Sequence, residues 1–238
     1  MIWRRLGLVS CLGLMAILLS GCFRSAIDIR FESQTQGLVT QQIQLEERFA
    51  QLSEAQVQQW FAQVAQQARS LGGSAHQETL QTWQIRLPFN NGADLVEKFN
   101  RLMATEATGL LAEVLGSNQV RSQLAVKQNN WIFALRNHLT WDLDLRSVKV
   151  AQPTGGVLST LEPLSLRFSL TTPWGLKELT MLPAGLPPRL PEGRSLQLGQ
   201  LNHMEAVFWV PSPIGLGAAA IAVLMVLGWL IRYRVLGL

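Results

Sequence analysis

The sequence has few of the residues on which most catalytic and metal sites are built. Its 238 residues include two cysteines, one tyrosine and three histidines. The histidines, His76, His138 and His203, are far apart and form no HExxH or paired-histidine motif, so no zinc site is predicted. There is also no GxSxG motif and no glycine-rich loop that would cradle a phosphate. The sequence therefore predicts a protein that is not an enzyme and that uses no cofactor.

A dense basic patch, which binding to nucleic acid requires, is lacking as well. The chain carries 20 lysines and arginines against 16 aspartates and glutamates. Four of the arginines flank the apolar ends of the chain, and without them 16 basic residues face 16 acidic ones. Those four are Arg4, Arg5, Arg232 and Arg234. The middle of the chain is neutral, and nucleic acid is not an expected partner.

An apolar run near the N-terminus predicts a signal peptide. The run extends over 14 residues from Leu6 to Leu19 and follows two arginines. As a helix it would be about 21 Å long, less than the ~30 Å hydrocarbon core of a bilayer. Small residues at positions 20 and 21 complete the pattern of a cleavage site. With Cys11 removed in the peptide, Cys22 would have no partner, which excludes a disulfide.

The residues Leu19-Ser20-Gly21-Cys22 resemble the lipobox of bacterial lipoproteins. In that motif the cysteine sulfur receives a diacylglycerol, and the chain is cut just before the cysteine. The resemblance implies that Cys22 is the lipidated first residue of the mature protein, with palmitate or a similar acyl chain in its anchor. An ordinary signal peptide or a buried thiol is the alternative interpretation.

A longer apolar run near the C-terminus predicts a transmembrane helix. Residues 214–231 carry no charge, and 18 residues reach the lower end of the length that spans a bilayer. Trp209, Trp229 and Tyr233 suit the membrane interface, and the arginines at 232 and 234 predict a cytoplasmic C-terminus. Acylation would then hold residue 22 at the leaflet that this helix enters. A buried core helix is the alternative, although the run has no polar face.

The segment between the two anchors has the alternating and helical patterns of an α+β domain. Predicted strands cover residues 26–31, 37–45, 74–78, 82–87, 119–127, 131–146, 164–171 and 204–210. A first helix is predicted to begin at a capping box formed by Ser53 and Gln56 and to end at Gly72. A second helix is predicted to begin at Asn91. We expect an antiparallel sheet with these two main helices packed on one face.

The predicted organisation has five parts. They are a signal peptide (1–21), an extracytoplasmic α+β domain (22–182), a proline-rich segment with the final strand (183–213), the transmembrane helix (214–231) and a cytoplasmic tail (232–238). This arrangement predicts a domain on the extracytoplasmic side of the cell inner (plasma) membrane or of a thylakoid membrane.

Two acidic residues, Asp142 and Asp144, lie two positions apart in the segment TWDLDLR and would share one face of a strand. Such a pair would bind a hard cation or take part in acid–base chemistry. In the alternative interpretation they lie on a solvated face, and Arg146 relieves their repulsion.

A cluster of apolar residues in TGLLAEVLGS, residues 108–117, is the candidate ligand contact. Leu110, Leu111, Val114 and Leu115 would enter the membrane interface or line the mouth of a pocket. The alternative is a short helix packed under the sheet.

The order of these features is similar to that of LppM-like lipoproteins of mycobacteria and of a related group in cyanobacteria. The resemblance rests on the lipobox, the strand pair RSAIDIRFESQTQGLVTQQIQL, the tryptophan-bearing helix after it and the single C-terminal apolar helix. It implies an α+β domain near the membrane that contacts lipid, and it transfers no catalytic residue. Two functions are expected: binding of lipid or another apolar ligand at the membrane surface, or alternatively assembly of a membrane protein complex, including a photosynthetic one.

Overall fold

The computed structural model describes residues 23–45, 54–79, 81–108, 120–147, 164–182 and 194–235. The strands in these ranges are β1 (Phe23–Ser33), β2 (Gln36–Leu45), β3 (Ser74–Thr79), β4 (Thr82–Phe89), β5 (Arg121–Trp131), β6 (Ala134–Asp144), β7 (Leu164–Thr171), β8 (Leu176–Leu182), β9 (Arg194–Ser195) and β10 (Leu201–Pro211). The helices are α1 (Glu54–Ser70), α2 (Gly92–Thr108) and α3 (Pro213–Leu230), which a π-helical turn (Ile231–Val235) extends. The predicted α+β class is confirmed, while Ser53 of the predicted capping box lies outside the described residues.

The strands form two sheets rather than one. The first has the order β3-β4-β2-β1-β7-β9, in which β1 and β7 are parallel and the other neighbours antiparallel. The second has the order β5-β6-β10-β8 and is antiparallel throughout. Periodicity predicts which face of a strand is buried, but it does not predict which strands pair. The parallel pair and the division into two sheets therefore differ from the single antiparallel sheet that was expected.

Aromatic side chains hold the two sheets together. Phe31 of β1 contacts Phe208 of β10 at a ring-centroid distance of 4.8 Å, and Trp141 of β6 contacts Phe168 of β7 at 4.7 Å. Helix α2 adds Phe99, whose ring meets that of Trp141 edge-on. All five rings are buried, so this cluster forms the centre of the core.

The two main helices cover different parts of the sheets, α1 packing chiefly on β3 and β4 and α2 on β5. As predicted, Gly72 ends α1, since its φ of 79° is in the left-handed region. Asn91 caps α2, because its Oδ1 accepts a hydrogen bond from the Asp94 N–H at 2.9 Å. The Asn100 amide makes two hydrogen bonds to the backbone of Leu124 and so covers the edge of β5.

Strands β1 and β10 run in the same direction towards the start of α3. Trp141 and Phe168, whose rings are in contact, pair with Met204 of β10 and with Ile27 of β1, respectively. Phe31 and Phe208, which also contact each other, lie four residues after Ile27 in β1 and four residues after Met204 in β10. The two contacts therefore follow each other in the same order along both strands. We call the end of the sheets where β10 joins α3 the α3 end, and the opposite end the far end. The beginning of β1, at Phe23, is therefore at the far end.

The strand predicted over residues 131–146, which was long enough to contain a bend or bulge, corresponds to β6 but begins too early. Trp131 ends β5, a two-residue turn follows at Ile132 and Phe133, and Ala134 begins β6, which pairs with β5 without a bulge. Tight hairpin turns usually contain glycine, asparagine or aspartate at these two positions. This turn is apolar, and the sequence therefore predicted the break between the two strands at the polar residues 128–130 instead. Strands β8 and β9 were also not predicted.

Candidate functional site

Helix α3 is the feature most directly related to a membrane. Pro213–Arg234 form a helix that is long and apolar enough to cross a bilayer, and almost all of it is exposed. This exposure argues against the alternative of a core helix. Trp229 and Tyr233 are exposed near its C-terminal end with their rings 5.5 Å apart, and the Arg232 guanidinium lies 5.5 Å from the Tyr233 ring centre. Aromatic and basic residues together are typical of a membrane–water interface.

The turn between β5 and β6 lies against the first turn of α3. Ser212 caps the helix, since its Oγ accepts a hydrogen bond from the Gly215 N–H at 3.2 Å. The Ser212 N–H donates to the Phe133 carbonyl oxygen at 2.9 Å. Gly215 is buried, and a Cβ atom there would overlap the carbonyl oxygen of Ile132. The close approach of turn and helix therefore requires glycine at position 215.

Three residues at this turn, Trp131, Ile132 and Phe133, form what we call the hairpin tip. Their relative exposures are 62%, 75% and 51%. Trp209, which the sequence placed at the interface, is half-buried on β10, and its ring centre lies 6.2 Å from that of Trp131. The structure thus brings Trp209 together with the hairpin tip, and both lie next to the beginning of α3.

Two histidine–carboxylate pairs lie on the second sheet. His138 Nε2 is 2.5 Å from Glu205 Oε1, and His203 Nδ1 is 2.6 Å from Asp142 Oδ1. Both contacts arise because β6 pairs with β10, which brings together residues 67 and 61 positions apart. His76 lies apart from them, on β3. Within the part of the chain that the structure describes, no group of three or more His, Cys, Asp or Glu side chains is placed to hold a metal ion.

The two aspartates of the candidate cation site have separate protein partners. Asp142 contacts His203, whereas Asp144 accepts hydrogen bonds from Arg146 Nε at 2.9 Å and Nη2 at 2.7 Å. The odd-numbered residues of 141–145 are buried on the opposite face, as the alternation predicted. Because each carboxylate already meets a basic side chain, the geometry favours the interpretation as a solvated face over a cation site.

We expect the change Arg146→Gln to raise the pKa of Asp144 from about 2 towards its ordinary value of 3.8. The hydrogen bonds from the Arg146 side chain are the largest cause of the low pKa, and the Arg146 backbone N–H is the next. Since the folded-state pKa lies below the unfolded one, the pair stabilises the fold above pH 3.8, and this contribution is lost as the pH falls towards 2. NMR titration of the Asp144 carboxyl measures the shift.

The control for this titration is Arg101→Gln, which removes a surface pair with Glu97 and should leave the pKa of Asp144 unchanged. If the pKa of Asp144 stayed near 2 in the Arg146 variant, the Arg146 side chain would not be the cause of the low pKa.

Five predicted site residues lie outside the described residues. They are the lipidation candidate Cys22 and the ligand-contact candidates Leu110, Leu111, Val114 and Leu115. The residues that flank them are described. Strand β1 begins directly after Cys22, and β5, which follows the apolar cluster, begins at Arg121 opposite Asp144. Both flanking positions lie at the far end of the sheets.

The hairpin tip was not predicted from the sequence. Its signal was the run of three large apolar residues after Asn129 and Asn130, in a region where polar and apolar residues otherwise alternate. Three consecutive apolar residues break the period of two that a half-buried strand requires, and this break marks the turn.

Comparisons with known proteins identify a family but no activity. A family model described as "Protein of unknown function (DUF3153)" matches residues 27–237 of the chain. Among solved structures, the NMR structure of the folded domain of Mycobacterium tuberculosis LppM is similar, with 13% sequence identity and a TM-score of 0.42. That similarity covers 82% of this chain and 94% of the other. No curated protein sequence matches the chain.

Proposed function

Since the chain belongs to the DUF3153 family of proteins of unknown function, we propose a function from its own surfaces: a non-catalytic domain that α3 tethers to a membrane and that binds lipid or another apolar ligand there. The observation that carries the proposal is α3, which is apolar, exposed and joined to β10 through the single residue Ser212. An all-round apolar helix is stable where lipid or protein covers it. Because the joint is so short, the sheets would sit directly on the membrane surface.

The proposed topology has the domain on the extracytoplasmic side of the plasma or thylakoid membrane and the C-terminal tail in the cytoplasm. The exposed Arg232 and Arg234 at the end of the span support this orientation. The signal peptide and the acyl anchor on Cys22 are parts of the proposal that rest on the sequence alone.

Within this proposal the apolar cluster of residues 108–117 contacts the ligand rather than the bilayer. The described residue Arg121, which begins β5 after the cluster, lies at the far end of the sheets. We propose that Leu110 and Leu111 contact the ligand, as apolar side chains at a pocket mouth do.

Native mass spectrometry of the full chain, extracted from membranes into detergent, tests the proposed function. We expect a stoichiometric lipid to remain bound, and we expect the double change Leu110→Ser and Leu111→Ser to release it. Leu201→Ser is the matched control, because Leu201 is an exposed leucine outside the cluster. A folded chain that carries no lipid would contradict the binding function.

Assembly of a membrane protein complex is the second candidate function. The observation that favours it is a glutamine-rich outer face on α1. Five glutamines of the helix are exposed: Gln56, Gln58, Gln59, Gln63 and Gln66. A tethered domain with such a face would raise the local concentration of a partner protein. Crosslinks from α1 to another membrane protein, together with a lipid-free chain in the mass spectrum, would favour this function over ligand binding.

A further inference from the structure

Exposed apolar side chains outside α3 are concentrated at the α3 end of the second sheet. Among the described residues before α3, five large apolar side chains are exposed: Trp131, Ile132, Phe133, Trp174 and Leu201. The first three form the hairpin tip, which lies at the α3 end because Ala134 pairs with Pro211. Trp174, 57% exposed, lies in the turn before β8, whose first residue pairs with Phe208 near the end of β10.

The remaining member of the set, Leu201, is 42% exposed and lies at the far end, where β10 begins. Single exposed apolar residues are common on protein surfaces, whereas a contiguous group marks a contact with a protein or a membrane. Four of the five lie at the α3 end of the second sheet, and this grouping indicates a contact surface.

We propose that the hairpin tip inserts into the interface of the bilayer that α3 crosses, with Trp174 at the same level. This inference rests on the proposed membrane function, because it needs α3 to span. The apolar surface of the tip continues into α3, whose first residues Ile214 and Leu216 are also exposed. Tryptophan rings favour the interfacial region, since their apolar body meets acyl chains while the indole N–H reaches polar groups.

The junction with α3 makes this contact a fixed one. The Ser212 N–H donates a hydrogen bond to the Phe133 carbonyl oxygen, and the backbone of Ile132 packs against Gly215. The tip cannot move away from the helix without breaking this packing. A partner protein would have to reach the tip at the level where lipid headgroups surround the first turn of α3. The geometry therefore favours the bilayer over a protein as the occupant.

Photo-crosslinking of the full chain in intact membranes tests the insertion. A photoreactive amino acid is placed at position 132, at position 201 as the exposed control, or at position 224 inside α3, and the adducts are identified by mass spectrometry. We expect lipid adducts at 132 and 224, and several-fold less lipid adduct at 201. Lipid at 224 but none at 132 would overturn the insertion alone. An absence of lipid at 224 would overturn the proposed membrane function and the insertion with it.

Two glycines of α3 offer a matched pair of variants. Gly215→Ala places a Cβ atom on the Ile132 carbonyl and should displace the tip, which would lower the lipid adduct at 132 several-fold while leaving the adduct at 224 intact. Gly217→Ala meets no atom within 4 Å and should leave both adducts unchanged. Protein adducts at 132 in the parent chain would assign the tip to a protein partner and would contradict the proposal.

Discussion

Replacing Trp141 with alanine is expected to lower the free energy of unfolding by about 3–5 kcal/mol, the range for removing a buried tryptophan. The side chain is 1% exposed and lies between Phe168 of the first sheet and Phe99 of α2, with ring centres 4.7 and 5.8 Å away. Its indole N–H also donates to the Ser122 hydroxyl at 2.9 Å. The change would therefore open a cavity where three elements meet. Urea denaturation of the full chain in detergent measures the loss.

Two further variants show whether the loss comes from packing. Ser122→Ala removes only the hydrogen-bond acceptor and should cost about 1–3 kcal/mol, because it leaves a buried N–H without its partner. Trp174→Ala removes an exposed tryptophan and should change the free energy of unfolding by no more than about 0.5 kcal/mol. A Trp141→Ala chain as stable as the Trp174→Ala chain would mean that Trp141 does not join the two sheets.

Placing arginines at Val223 and Val226, in the middle of α3, is expected to move the chain from the membrane fraction to the soluble fraction when a cleavable signal peptide without a lipobox replaces residues 1–22. A charge at the centre of a transmembrane helix raises the free energy of insertion by about 2.5–3.5 kcal/mol, so the pair costs on the order of 5–7 kcal/mol. This replacement removes the predicted acyl chain and the uncleaved apolar run of residues 6–19 as second anchors. Fractionation after carbonate extraction measures the outcome.

The same chain without the two arginines is the control for this experiment and should remain in the membrane fraction through α3. The single change Cys22→Ala is a separate test of maturation. It should abolish acylation and processing, measured by the mass of the chain, while the protein remains in the membrane fraction through α3. A soluble Cys22→Ala chain would show that α3 does not span. An arginine variant that stayed in the membrane would mean that another surface holds the domain there.

The sequence predicted elements well wherever one face of an element is buried and the other is solvated. Residues 164–171 were predicted as a strand with the bounds that β7 has in the structure, and Asn91 and Gly72 begin and end helices as expected. In these segments the local pattern and the tertiary burial coincide. Strand β8, in contrast, was missed. Its register against β10 shifts between the pairs Val207–Glu178 and Phe208–Leu176, and this irregularity interrupts the alternation that predicts a strand.

The candidate sites were harder to predict because they depend on which strands pair. His138 and Glu205 are 67 positions apart, and only the pairing of β6 with β10 brings them together. The hairpin tip was missed for a different reason. Turn signals assume that a turn faces water and is polar. An apolar turn such as that of Ile132 and Phe133 conflicts with this assumption.

The common direction of β1 and β10 has a consequence for the two predicted anchors. Phe23, the residue after Cys22, precedes Phe31 by eight positions, which corresponds to roughly 26 Å of strand. Phe23 and α3 therefore lie at opposite ends of the sheets. An acyl chain on Cys22 can share a bilayer with α3 only if the strands lie along the membrane surface. If the strands stand upright on that bilayer, the beginning of β1 points away from it, and the predicted acyl chain could not enter the leaflet that α3 enters.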